Sequence, residues 1–128
     1  MKKINKYLVA LILIISALTI GNTMSTLAAS WTLVDSKTSD SQTKYLNGVK
    51  SGQAKICLKE QFGGGNFSVY DNDDGSRGPM ILNSHFLGNN DCVTFDATPY
   101  IDGTDNDAEF IVVRTRSGLF SYTLELWD

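Results

Sequence analysis

Histidine is nearly missing from this sequence of 128 residues: His85 is the only one. That rules out a zinc site built from several histidines and forces any hydrolytic triad through one residue. Its neighbour Ser84 points to the opposite face of an extended chain, and no glycine-flanked nucleophile elbow surrounds it. Carboxylates are plentiful, but no spacing selects a pair for glycoside hydrolysis. No catalytic residue is expected, and a non-enzymatic protein is the first reading.

Basic residues are scarce where a polyanion binder needs them. Three of the 11 Lys and Arg residues, Lys2, Lys3 and Lys6, precede the apolar run from Tyr7 to Ile20. The remainder carries 8 basic against 14 acidic residues, a net charge of −6. A chain with this balance lacks the basic footprint of a nucleic-acid or anionic-membrane binder. The apolar run is also shorter than the roughly 20 residues that span a bilayer. With lysines before it and Thr26-Leu27-Ala28-Ala29 after it, residues 1–28 have the form of a secretory signal peptide cleaved after Ala28 or Ala29. No stable membrane insertion is expected after its removal. A single domain over 29–128, secreted to the extracellular space, is the implied organisation.

Only two cysteines occur, Cys57 and Cys92, and both fall in the exported part. An oxidising compartment favours a disulfide between them. Cys57 alternates against Ala54, Ile56 and Leu58, and Cys92 against Val93 and Phe95. Both cysteines therefore belong to the polar parity, and their bridge staples the solvent face or rim of a sheet rather than its core.

Helical periodicity and fixed-period repeats are absent beyond the signal, whereas strand patterns recur. Trp31–Val34 suits a first edge strand. Asp35–Gly52 reads as a loop interrupted near Tyr45-Leu46. Ala54–Leu58, Asn66–Tyr70 and Asp91–Asp96 alternate as half-buried strands. Pro79–Leu82 and Phe86-Leu87 form a further strand or an irregular crossing. Glu109–Thr115, apolar on both faces, suits a central strand. Phe120, Tyr122, Leu124 and Leu126 share one buried parity, with Trp127 on the other, and Ser117-Gly118 between the last two runs predicts a hairpin. Six to eight such strands predict an all-β fold, a small two-layer antiparallel β-sandwich of Greek-key type with one disulfide.

Acidic residues gather in two loops: Asp71, Asp73 and Asp74 in one, Asp102, Asp105 and Asp107 in the other, followed by Glu109. Hard oxygen ligands at alternate positions are what calcium takes, and a cation relieves their repulsion. The EF-hand pattern fails, because counting back from Gly75 puts Tyr70 at the first ligand position. Solvated turn aspartates are the competing reading, since Asp and Asn also favour turns for backbone reasons.

The segment from Cys57 to Phe95 resembles one Greek-key motif of the βγ-crystallins. Phe62 and Gly64 fit that family's aromatic and glycine positions, with Cys57 replacing its first aromatic. Asn90-Asp91-Cys92-Val93-Thr94 fits the first five places of its calcium signature, and Phe95 departs at the last. The resemblance implies Asn90 and Thr94 as calcium-site positions.

Exposed aromatics complete the picture. Trp127 on the polar parity, Tyr100 beside Pro99 and Trp31 near the new N-terminus are candidate platforms for a glycan or an extracellular protein. Packing against an edge strand is the plainer role for such residues. The function expected is a secreted non-enzymatic binding module, with calcium as its only candidate cofactor. The alternative is a small secreted inhibitor of an extracellular hydrolase, or an antimicrobial toxin, acting through a loop.

Overall fold

A computed structural model of the chain describes residues 30–59, 63–115 and 120–128. The candidate signal segment and the Ser117-Gly118 turn lie outside them. The described strands are β1 (Leu33–Ser39), β2 (Thr43–Val49), β3 (Gln53–Lys59), β4 (Gly65–Asp73), β5 (Ser76–Leu87), β6 (Cys92–Asp96), β7 (Ile101–Asp102), β8 (Asp107–Arg114) and β9 (Tyr122–Trp127). A single 3-10 turn, Thr98–Tyr100, interrupts them, and no α-helix occurs among the described residues. The protein is all-β.

The strands form two antiparallel sheets, one ordered β1-β9-β3-β6 and the other β2-β8-β4-β5 with β7 paired to β8. Alternation decides what each strand buries. Ala54, Ile56 and Leu58 of β3 and Tyr122, Leu124 and Leu126 of β9 line the inner face of the first sheet. Leu46 and Val49 of β2, Phe67 and Val69 of β4, and Ala108, Phe110 and Val112 of β8 line the second. Val93 and Phe95 of β6 pack against this core as their parity predicts. Phe95 meets Phe110 edge to face across the layers at 5.2 Å between centroids.

The Cys57–Cys92 disulfide is present. The two residues are direct cross-strand partners in β3 and β6, with Cα atoms 4.1 Å apart. They flank the point where Leu58 N–H donates to Asp91 O, so they occupy a site of close Cα approach that lacks ladder hydrogen bonds. Both lie on the outer face, as expected, and the bridge ties edge strand β6 to the sheet. Cys57 is nonetheless buried.

Several expectations are corrected. β8 and β9 do not form a hairpin: each lies in a different sheet and already has strands on both sides. A strand with both edges paired has no backbone donors left for its successor, so the chain crosses between layers. Phe120 precedes β9 and is 59% exposed, leaving the buried set at Tyr122, Leu124 and Leu126. The region read as a loop over 35–52 contains most of β1 and all of β2. Its alternation was hidden because Lys44 occupies an inward position of β2. Asp71–Asp73 continue β4, and the further strand expected over Pro79–Leu82 and Phe86-Leu87 is β5, which is longer and bulged. The hairpin is instead at Asp74-Gly75, both with positive φ between paired Asp73 and Ser76. That is the Asp-Gly turn chemistry of a two-residue loop.

Candidate functional site

Pairing brings the two acidic segments together. The β4–β5 turn and the β7–β8 turn lie on the same end of the second sheet, and between them opens a cleft of about 400 Å³. Asn72, Asp73, Asp74, Asp102, Asp105, Asp107 and Glu109 line it, with Gly103 and Thr104. Among the described residues none of these carboxylates makes an ion pair; the ion pair present, Lys37 with Asp35, is on β1. Asn72 Nδ2 donates to Glu109 Oε2 at 2.7 Å, while Asn72 Oδ1 is buried and without a hydrogen-bond partner.

Asp71 sits behind this cleft on the inward parity of β4 and is buried. Burial, then repulsion from Asp73 and Asp102, pushes its carboxyl above the usual value of 3.8. The cleft therefore concentrates negative charge that the fold itself opposes. Its donors are carboxylates and one orphaned amide oxygen, the hard oxygen set that calcium accepts. No group of three or more such side chains among the described residues is spaced to grip an ion directly.

The other predicted calcium positions are elsewhere. Asn90, at φ 65°, accepts a hydrogen bond from Lys59 Nζ at 3.1 Å, so a chain ammonium already occupies its oxygen. Thr94 lies exposed on the outer parity of β6. Neither lines the acidic cleft. His85 is an exposed residue of β5 opposite Phe67.

Of the three predicted aromatics, two meet. Trp127, paired with both Leu33 and Lys55, stands on the outer face of the first sheet. Lys55 Nζ lies 4.5 Å from the Trp31 ring centroid and 4.9 Å from that of Trp127. One ammonium thus joins both rings in a half-buried patch. Tyr100 is not part of it: it closes the 3-10 turn and packs against the core cluster.

Sequence reasoning missed a second surface. Tyr45, Ile111, Tyr70 and Met80 are successive cross-strand partners from β2 through β8 and β4 to β5. They form one row across the outer face of the second sheet. Tyr45 is 53% and Met80 49% exposed, and Ile111 is the buried floor between the tyrosines. The Arg77 guanidinium lies 4.5 Å from the Tyr70 centroid. The outward Ile111 in an otherwise alternating strand was the available signal, but which residues flank it depends on strand partners.

At the opposite end of the layers, two cations turn inward. Lys44 Nζ donates to Ser39 O and Ser39 Oγ at 3.0 and 2.7 Å and lies 3.8 Å from the Tyr122 centroid. Burial holds its ammonium below the ordinary 10.5, Arg114 adding to that and Asp40 opposing it. Arg114 lies 4.8 Å from the same ring and donates through Nη2 to Gly64 O. A Cβ on Gly65 would fall 2.7 Å from Arg114 Nε, which is why the glycine run continues there.

Residues 30–124 match the YndA coiled coil domain family. The chain belongs to that family. Its label does not describe this fold, since the same residues form the two sheets above and no α-helix is found among those described. No curated protein and no solved structure matches the chain.

Proposed function

We propose that this chain is a secreted, non-enzymatic binding module of β-sandwich form, with calcium held in the acidic cleft and an extracellular glycan or protein as its target. The observation that carries this reading is the convergence of two acidic segments, distant in sequence, on one cleft whose carboxylates have no ion-pair partner among the described residues. A divalent ion would offset their repulsion, and the orphaned Asn72 oxygen would add a neutral ligand. The disulfide supports an oxidising, exported setting. The Trp31–Lys55–Trp127 patch supplies aromatic surface beside a charge, a composition suited to sugars or to protein anchors.

The cleft is made by turns, Asp74-Gly75 and residues 103–106, and this favours a second reading, a small inhibitor or toxin that acts through loops. Calcium titration by calorimetry, with Asp102→Asn and Asp105→Asn combined as control, tests the metal. Pull-down on cell-wall glycan and on secreted proteins, comparing wild type with Trp127→Ala, tests the target. Absence of calcium heat together with target capture indifferent to Trp127 would sink the proposal.

A further inference from the structure

The row Tyr45–Ile111–Tyr70–Met80 lies on the solvent side of its sheet, so the core does not explain it. It crosses β2, β8, β4 and β5 as successive cross-strand partners, with bulges on either side of the Tyr70–Met80 pair, over roughly three strand spacings or about 14 Å. Large apolar side chains in such a row keep an outlay of exposed surface that isolated residues do not. One step along β8 and β4 on the same face stand Glu109 and Asn72, and beyond Glu109 stands Asp107. These residues also line the acidic cleft, so apolar row and acidic cleft are one continuous surface.

We infer that this surface docks a basic, apolar-bearing segment of another polypeptide. The inference rests on the binding-module reading and names its partner. Apolar side chains of the segment lie on the exposed faces of Tyr45 and Met80 at the two ends of the row, and its Lys or Arg heads reach Glu109, Asp107 and the cleft. Charge selects this occupant. The acids along the row have no ion pair among the described residues, whereas Arg77 over Tyr70 is the cation that the row itself carries. That contact displays the chemistry in miniature, a guanidinium resting on a ring of the row. Calcium and the segment would compete for Asp107 and Glu109, so charge makes this selection in the calcium-free cleft. There a neutral sugar would leave the acids uncompensated, and a second copy of a chain with net charge −6 over residues 29–128 would add to their repulsion.

The probe is a synthetic amphipathic peptide of Lys and Leu, titrated by fluorescence anisotropy. An oligolysine of equal charge and a Gln/Leu peptide of the same pattern serve as controls. The wild type should bind the Lys/Leu peptide more tightly than either control, less so as salt rises. Tyr45→Ser combined with Met80→Ser should weaken it by about tenfold or more, the scale of losing an aromatic anchor. Both residues are half exposed, and an unchanged melting curve for the double variant verifies the fold. Glu109→Gln should weaken the Lys/Leu peptide and leave the Gln/Leu peptide unaffected.

Equal binding of oligolysine, or affinity unchanged in the double variant, overturns the inference. So does glycan capture that depends on Tyr45, which assigns the face to sugar, or a concentration-dependent dimer abolished by Tyr45→Ser. Should the double variant itself melt early, Tyr45→Thr and Met80→Thr, which remove the large side chains but keep strand propensity, carry the same comparison. Calcium binding and Trp127-dependent capture are read separately, so failure here leaves the broader reading standing and its failure is seen elsewhere.

Discussion

Asp71 is a carboxylate that the fold works against. Its pKa is raised, so the ionised form costs the folded state at neutral pH. As pH falls through that raised value towards 3.8, the folded protein takes up the proton first and the cost is relieved. Asp71→Asn is therefore expected to raise Tm at pH 7, with the gain shrinking on acidification and gone below 3.8. Melting curves of both proteins across pH 3 to 7, roughly, check this. Asp128 opposes that trend: although burial works to raise its pKa, the Ser51 and Lys50 amides prevail and hold it low. Its stabilisation is present above 3.8 and lost as pH falls through the lowered value. Leu124, fully buried on β9, should cost about 2 to 5 kcal/mol as Leu124→Ala, through lost burial and a cavity. Trp127→Ala should cost less, about 1 to 3 kcal/mol, from the partial burial of its ring together with the cation–π contact with Lys55.

Turn chemistry governs the elements that build the cleft. Gly75 has φ 80° with nothing near a built Cβ, so Gly75→Ala isolates the backbone cost of the left-handed region. About 1 to 2 kcal/mol is expected by chemical denaturation, and Gly75→Asn should recover part of it. Gly64 differs, because a Cβ there would run into the Leu87 carbonyl as well as a positive φ. Gly64→Ala should therefore destabilise more than Gly75→Ala. The Asp-Gly signal for this turn was present in the sequence, but the acidic run around it also read as a loop end. The edge strand β1 starts within the edge strand expected at Trp31–Val34, but its continuation through Ser39 was hidden for another reason. Its side chains are mostly outside the core, so burial imposes no alternation on it.

At the scale of the whole molecule, the disulfide closes a loop of 35 residues. Chain entropy assigns it about 4 kcal/mol. Reduction should lower the midpoint of urea unfolding accordingly, against a total stability of about 5 to 15 kcal/mol for a domain. Calcium is expected to raise Tm at matched ionic strength, with about 2.7 kcal/mol gained at 100 times its dissociation constant. Identical curves in calcium and chelator would leave the cleft aspartates as turn residues.

What the sequence determined was the face that β3, β4, β6 and β9 bury. The parities of Ile56, Val93 and Leu124 follow from a period of two, and the same parity placed both cysteines outside the core. The recurrence of short strand patterns without helical periodicity also sufficed for the all-β class. Tertiary structure decided which strands are neighbours. That choice separated β8 from β9, joined two acidic segments into a cleft and aligned Tyr45, Ile111, Tyr70 and Met80 in one row. The physical reason is that alternation is a local property of one strand, whereas pairing depends on backbone groups far apart in the chain. Lys44 and Arg114 belong to the same class: a charged side chain faces inward only because Tyr122, Ser39 and Gly64 arrive from other strands and loops to receive it.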